Sequence, residues 1–175
     1  MDINEVILVD EQDGELGSIE KLEAHERGLL HRAFSVFIIN YDGKMLLQRR
    51  ALSKYHSPGL WTNACCSHPA PGESTLESAK IRLQHEMGFQ CSLIEVDSFI
   101  YKTAFENGLT EYEFDHVLFG VYNGPVLPHV DEADDYKWVP FDELEFDILH
   151  NKDDYTFWFH IAYPIIRKFL KSGKY

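Results

Sequence analysis

No stretch of this chain approaches the roughly 18 uninterrupted apolar residues that a bilayer-spanning helix needs, so none is expected. Positive charge is also scarce: 16 Lys and Arg stand against 29 Asp and Glu, a net charge of −13. Such a surface repels nucleic acid and anionic membranes as a whole. A polyanionic substrate would need a local basic patch or bridging metal ions. Cysteine is sparse and odd in number (Cys65, Cys66, Cys91). The opening MDINEVILVDEQDGE is acidic and has no basic region followed by an apolar run, so it does not read as a secretory signal. A disulfide framework is therefore not expected, at least one thiol should be free, and the expected compartment is the cytoplasm. Repeats, low-complexity tracts and Pro/Gly/Ser-rich linkers are also lacking, which predicts a single domain over residues 1–175. With 45% apolar and 14% aromatic residues, a chain of this length can bury a substantial core.

The pattern of apolar residues and turn signals predicts a strand over 5–9, a turn over 10–17 and a short helix over 18–26. Residues 33–39 (AFSVFII) and 45–49 read as a hairpin around the Asp42-Gly43 turn. Residues 50–72, with Pro58, Pro69 and Pro71, read as a long loop holding at most one short strand, and long loops in compact domains are usually functional. Leu76, Ala79, Leu83 and Met87 repeat at helical spacing and Gly88 follows as a stop. Strands are expected over 95–105 and 110–122, with a further one ending at Trp138-Val139. Helices follow over 141–150 and 155–171, the last kinked at Pro164. The sum is an α/β (α+β) domain with several antiparallel pairs.

Four constellations carry candidate chemistry. In Asn63-Ala64-Cys65-Cys66-Ser67-His68-Pro69, a thiol two residues from an imidazole suits a nucleophile or proton donor beside a base, or a ligand pair. A buried cysteine next to a surface histidine is the plain alternative. His25 and His31 straddle a predicted helix end and strand start, so either can turn inward. Glu111, Glu113 and Asp115 share one face of a strand, where like charges are costly unless solvated or held by a cation. If His25, His31 and His68 converge on that face, three imidazoles and two carboxylates suit zinc or manganese. Finally, Lys21, Arg49, Arg50, Lys54 and Arg82 form a basic set, with Glu86 one helical turn after Arg82. Such a set can grip phosphate oxygens, and the carboxylate can hold a magnesium ion. Surface solvation is the default for each of them.

These residues, in this order, resemble the type I isopentenyl diphosphate isomerases of the Nudix fold family, from Ile7 to about Phe169. The motifs are Arg49-Arg50-Ala51-Leu52-Ser53-Lys54, Pro58-Gly59-Leu60-Trp61-Thr62-Asn63, Cys66-Ser67-His68-Pro69, Gly72-Glu73-Ser74, the pair Glu111 and Glu113, and the region of Trp158. The resemblance implies a Nudix-type mixed sheet with flanking helices. The Nudix helix signature is degenerate here: Ser67 stands at its first glycine, Ile81-Arg82 at its Arg-Glu pair and His85-Glu86 at its twin glutamates. Hydrolases use those glutamates to hold metals and activate water, so their loss argues against diphosphate hydrolysis.

By resemblance, His25, His31, His68, Glu111 and Glu113 are the ligands of a tightly bound Mn²⁺ or Zn²⁺, and Glu86 holds Mg²⁺ against the diphosphate. Lys21, Arg50, Lys54 and Arg82 contact the diphosphate; Cys66, Glu113, Tyr101 and Trp158 are catalytic. Spacing to His68 favours Cys66 over Cys65. The implied partner is a small prenyl diphosphate, with no nucleic acid or membrane, and the chain acts as a monomer or homodimer. Moving an unactivated double bond requires an acid, a base on the opposite face, a dry cavity and an aromatic face for a tertiary carbocation. Glu113, assisted by Tyr101, is expected to protonate the alkene while Cys66 takes the other proton, their order reversing with direction. Trp158, and as a weaker candidate Trp61, would face the cation. The rivals are a Nudix hydrolase and a non-catalytic metal-binding module.

Overall fold

A computed structural model describes residues 4–175. The described residues form nine strands, four α-helices and a 3₁₀ turn. The strands are β1 (Glu5–Val9), β2 (Glu15–Glu20), β3 (His31–Ile39), β4 (Met45–Arg50), β5 (Trp61–Thr62), β6 (Cys65–Ser67), β7 (Leu93–Ala104), β8 (Thr110–Val121) and β9 (Ala133–Val139). The helices are α1 (Lys21–Arg27), α2 (Thr75–Met87), α3 (Phe141–His150) and α4 (Phe157–Lys171).

Strand β3 is the hub. It pairs in parallel with β8 along its whole length and antiparallel with β1, β4 and β6. Its residues alternate between two cores. Phe34, Val36 and Ile38 pack with Leu83 and Met87 of α2. Phe37 and Ile39 pack with Val117 and Phe119 of β8 and with Phe159 and Ile166 of α4. On the α4 side, parallel register places His31 opposite Glu113, Ala33 opposite Asp115, Ser35 opposite Val117 and Phe37 opposite Phe119. One face of the same two strands thus runs from ionisable groups to aromatic core, and the site lies at its polar end.

The β3–β4 hairpin forms as its sequence predicts. Asn40 Oδ1 accepts from the Asp42 and Lys44 amides, and Gly43 takes φ +71, a conformation that glycine adopts without strain. Helix α2 also begins and ends as expected, with the Ser74 side chain accepting from the Glu77 amide and Gly88 in the left-handed region. Its buried stripe places Ala79, Leu83 and Met87 in the core while Arg82 and Glu86 lie beside them on the cavity side.

Three expectations need correction. The helix expected over 18–26 begins only at Lys21, because residues 15–20 pair antiparallel with β1. That strand is nearly all exposed, so it has no apolar alternation to betray it. The loop 50–72 contains two short strands rather than one, β5 against β4 and β6 against β3. The strand expected to end at Trp138-Val139 does end there, as β9, and pairs with β4 over Ala133–Val139. Helix α4 begins at Phe157, two residues later than expected, and continues through Pro164.

Candidate active site and metal centre

Two backbone carbonyls set the orientation of two imidazoles. His25, on α1, donates from Nδ1 to the Lys21 carbonyl at 2.7 Å, and His31, at the start of β3, donates from Nδ1 to the Leu29 carbonyl at 2.8 Å. A carbonyl only accepts, so each Nδ1 carries a proton, and in the neutral ring Nε2 then presents a lone pair. Both Nε2 atoms are buried with no hydrogen-bond partner among the described residues, as is His68 Nδ1. His68 Nε2 lies 3.0 Å from Glu113 Oε1, and His31 Nε2 lies 3.6 Å from it. One ligand atom from each of His25, His31, His68 and Glu113 falls within 4.8 Å of the others, and all four residues are buried. Burial pushes the His25 pKa down and that of His68 down to about 3, so these rings are neutral, as metal ligation requires. Converging buried imidazole nitrogens beside a carboxylate fit a divalent metal ion.

Glu111 stands outside that four-residue set. Two residues from Glu113 on the same strand face, it accepts from the Tyr101 hydroxyl at 2.9 Å, and the same hydroxyl lies 2.8 Å from Glu113. One hydroxyl proton serves one carboxylate at a time. Burial, then the charge of Glu113, raises the Glu111 carboxyl. Burial also acts to raise Glu113, but His31 and His68 outweigh it and hold that group well below the usual carboxylate range.

β-Pairing divides the two adjacent thiols. Cys65 lies opposite Val36 and is buried in the α2-side core; Cys66 lies opposite Ser35 and lines the cavity. The Cys66 sulfur donates to Asn63 Oδ1 at 3.1 Å and accepts from Trp158 Nε1 at 2.9 Å. The Asn63 amide has no freedom to flip, because its Nδ2 donates to the carbonyls of Val36 and Cys65. Burial pushes the Cys66 thiol up to about 12.

The cavity has about 610 Å³ of empty space counting its open mouth, within the usual range for small-ligand sites. Lys21, Arg50, Lys54 and Arg82 all line it, as does Glu86. Arg50 lies over the Trp158 ring, 5.3 Å from its centroid. Lys54 and Arg82 are both bound to Glu132, and Arg82 also donates to Glu86, which accepts from Gln48 as well. Arg49 points elsewhere, pairing with Asp134. Trp61, the weaker candidate for facing the cation, is outside the cavity lining, and Arg49 and Lys137 lie 5.7 and 4.3 Å from its ring centroid. Sequence reasoning missed Glu132 and His56. Glu132 has no motif around it, and the only signal for His56 was its position in the proline-flanked loop after Arg50.

Fold and site together define a Nudix-domain protein with a His/Glu metal centre: the NUDIX domain family matches residues 29–159. A crystal structure of DR0079 from Deinococcus radiodurans superposes with a TM-score of 0.73 at 18% identity, covering 93% of this chain and 98% of that one. The MutT protein of Methanosarcina mazei superposes at 0.65, also at 18% identity, covering 83% and 96%. Among curated proteins, isopentenyl-diphosphate Delta-isomerase 2 of Aromatoleum aromaticum is 50% identical over 155 residues, 89% of this chain and 82% of the relative. The isopentenyl-diphosphate Delta-isomerase of Pectobacterium atrosepticum is 43% identical over 174 residues, 99% and 97% of the two chains. The chain belongs to the type I isopentenyl-diphosphate Delta-isomerase family. No helix among the described residues is long and apolar enough to cross a membrane.

Proposed function

We propose that this chain, as a single Nudix-like domain, interconverts isopentenyl and dimethylallyl diphosphate in isoprenoid biosynthesis. The observation that carries the reading is a half-buried thiol, Cys66, and a buried carboxylate, Glu113, lining one cavity with a Trp158 wall and a cationic rim. Lys21, Arg50, Lys54 and Arg82 bind and orient the diphosphate, which must displace Glu132 from the last two. His25, His31, His68, Glu111 and Glu113 hold Mn²⁺ or Zn²⁺, and Glu86 holds Mg²⁺ with the diphosphate. Bound there, the ions neutralise the substrate's charge and increase the acidity of the carboxyl groups.

Cys66 and Glu113 exchange the roles of proton donor and acceptor between the two directions of reaction. Burial keeps the proton on Cys66, and the histidines keep Glu113 ionised, which supports a cycle that starts with the thiol as donor. One turnover leaves the proton on the opposite group, reset by the reverse turnover or by exchange with solvent. Tyr101 links Glu111 and Glu113 and carries the proton between them. Trp158 holds the sulfur by its N–H, and its ring offers a face to the tertiary cation. Three free thiols suit a reducing compartment such as the cytoplasm, and the cavity is complete within one chain, so a monomer suffices.

The test is proton NMR of isopentenyl diphosphate with the protein and Mg²⁺ in heavy water. Conversion to dimethylallyl diphosphate with deuterium incorporation, abolished by chelator, is the expected result. Release of phosphate without isomerisation would instead point to a hydrolase, and retained metal without either reaction to a binding module.

A further inference from the structure

His56 has no role in the chemistry above, yet its ring projects into the cavity and its side chain is only 10% exposed. The loop that carries it is clamped from both sides. Asn107, in the β7–β8 turn, donates to the Tyr55 carbonyl at 3.0 Å, and Arg50 donates to the His56 carbonyl at 3.2 Å. Ser57 follows at φ +48, a left-handed conformation that costs a non-glycine residue about 1–2 kcal/mol. The ring stacks on Phe105 at 5.3 Å between centroids and meets the Trp158 ring edge-on at 5.9 Å. A phenylalanine would fill this aromatic slot equally well. Instead the slot holds an imidazole whose Nδ1 is buried without a hydrogen-bond partner among the described residues, which is costly unless the other nitrogen does something useful.

That other nitrogen, Nε2, lies 3.2 Å from Glu111 Oε1. The two carboxylates of β8 thereby have matching neighbours, a hydrogen bond from His68 at Glu113 and a close approach of His56 at Glu111. Glu113 has His68 on Oε1 and Tyr101 on Oε2; Glu111 has His56 on Oε1 and Tyr101 on Oε2. We propose that His56 is a positioning residue that holds Glu111 in a fixed rotamer beside Glu113 and, through its own carbonyl, ties that carboxylate to the diphosphate-facing Arg50. The inference rests on the isomerase reading for its effect on turnover, but the His56–Glu111 link is independent of it.

Two substitutions separate positioning from packing. His56→Phe keeps the ring and removes the donor; His56→Gln removes the ring and offers an amide N–H at similar reach. Loss of a partner behind a ligating group typically costs about 10- to 100-fold in metal affinity or activity. His56→Phe should therefore lower kcat by roughly 10-fold or more with KM for isopentenyl diphosphate within about 2-fold. It should also release its divalent ion at a correspondingly lower chelator concentration, without a lower melting temperature for the chelated protein. His56→Gln should recover most of both losses. If His56→Phe matches wild type in turnover and metal retention, or His56→Gln is as impaired as His56→Phe, the inference fails. Should His56→Phe not fold, His56→Ala replaces it against the same Gln rescue. Wild-type protein that retains metal but does not isomerise would defeat the functional reading alone, and the metal-retention comparison would still decide the role of His56.

Discussion

Around Cys66 the sulfur donates to the Asn63 carbonyl oxygen and accepts from the Trp158 N–H, with the Ser35 and Thr62 hydroxyls in longer contact at 3.8 and 3.9 Å. This geometry holds a protonated thiol and supports the sulfur as the proton leaves. Replacing Cys66 with Ala should reduce isomerisation by at least the roughly 10²- to 10⁴-fold typical of general acid-base groups, with the melting temperature little changed. Near-normal turnover by NMR would remove Cys66 from the mechanism. At this scale the sequence was legible where a short motif held both partners, as in Cys66 and His68. It was silent on Glu132 and His56, because their partners lie 78 and 55 positions away and meet only across the cavity. The adjacency of Cys65 and Cys66 was resolved by strand pairing, which turns neighbouring residues to opposite faces.

Among the elements, α2 is anchored at Gly88, whose φ is +79 and whose missing Cβ would sit 2.7 Å from the Leu127 carbonyl oxygen. Gly88→Ala combines left-handed strain with a backbone clash. It should destabilise the fold by more than about 1 kcal/mol, the left-handed cost alone, read as a lower denaturant midpoint. The α3–α4 junction predicts a pH effect. Asp147 accepts from the Tyr155 hydroxyl and from Asn151, and these bonds, the first foremost, hold its pKa below the ordinary value. A depressed carboxylate contributes stability above its unfolded pKa of about 3.9, and that contribution is lost as pH falls through the lower folded value. Tyr155→Phe should therefore be less stable than wild type at pH 6, and the gap in melting temperature should shrink between about pH 4 and pH 2. A constant gap would assign the contact no electrostatic role. Elements with strong apolar periodicity or clear caps, the β3–β4 hairpin and α2, were readable from sequence. Strand β2 was not, because an exposed edge strand carries little of the alternation that marks a buried one.

For the molecule as a whole, the converging imidazoles couple metal binding to stability. An ion at 100 times its Kd adds about 2.7 kcal/mol, so removing it by chelator should lower the melting temperature by roughly 5–11 °C for a chain of this size. His25→Ala should abolish most of that difference, and an unchanged melting curve with chelator would count against a bound metal. The sequence by itself determined the ligand types, the local hairpin and the ends of α2, and a net acidity that confines anion binding to a few cations. These depend on neighbours in the chain and on summed charge. Only the tertiary structure decided that His25, His31, His68 and Glu113 meet within a few ångströms, that Glu111 stands just outside them, that Trp61 is outside the cavity lining, and that His56 and Glu132 join the cavity. The meeting of His31 with Glu113 depends on β3 lying parallel to β8 in one register, and a single-residue slip would turn the two to opposite faces.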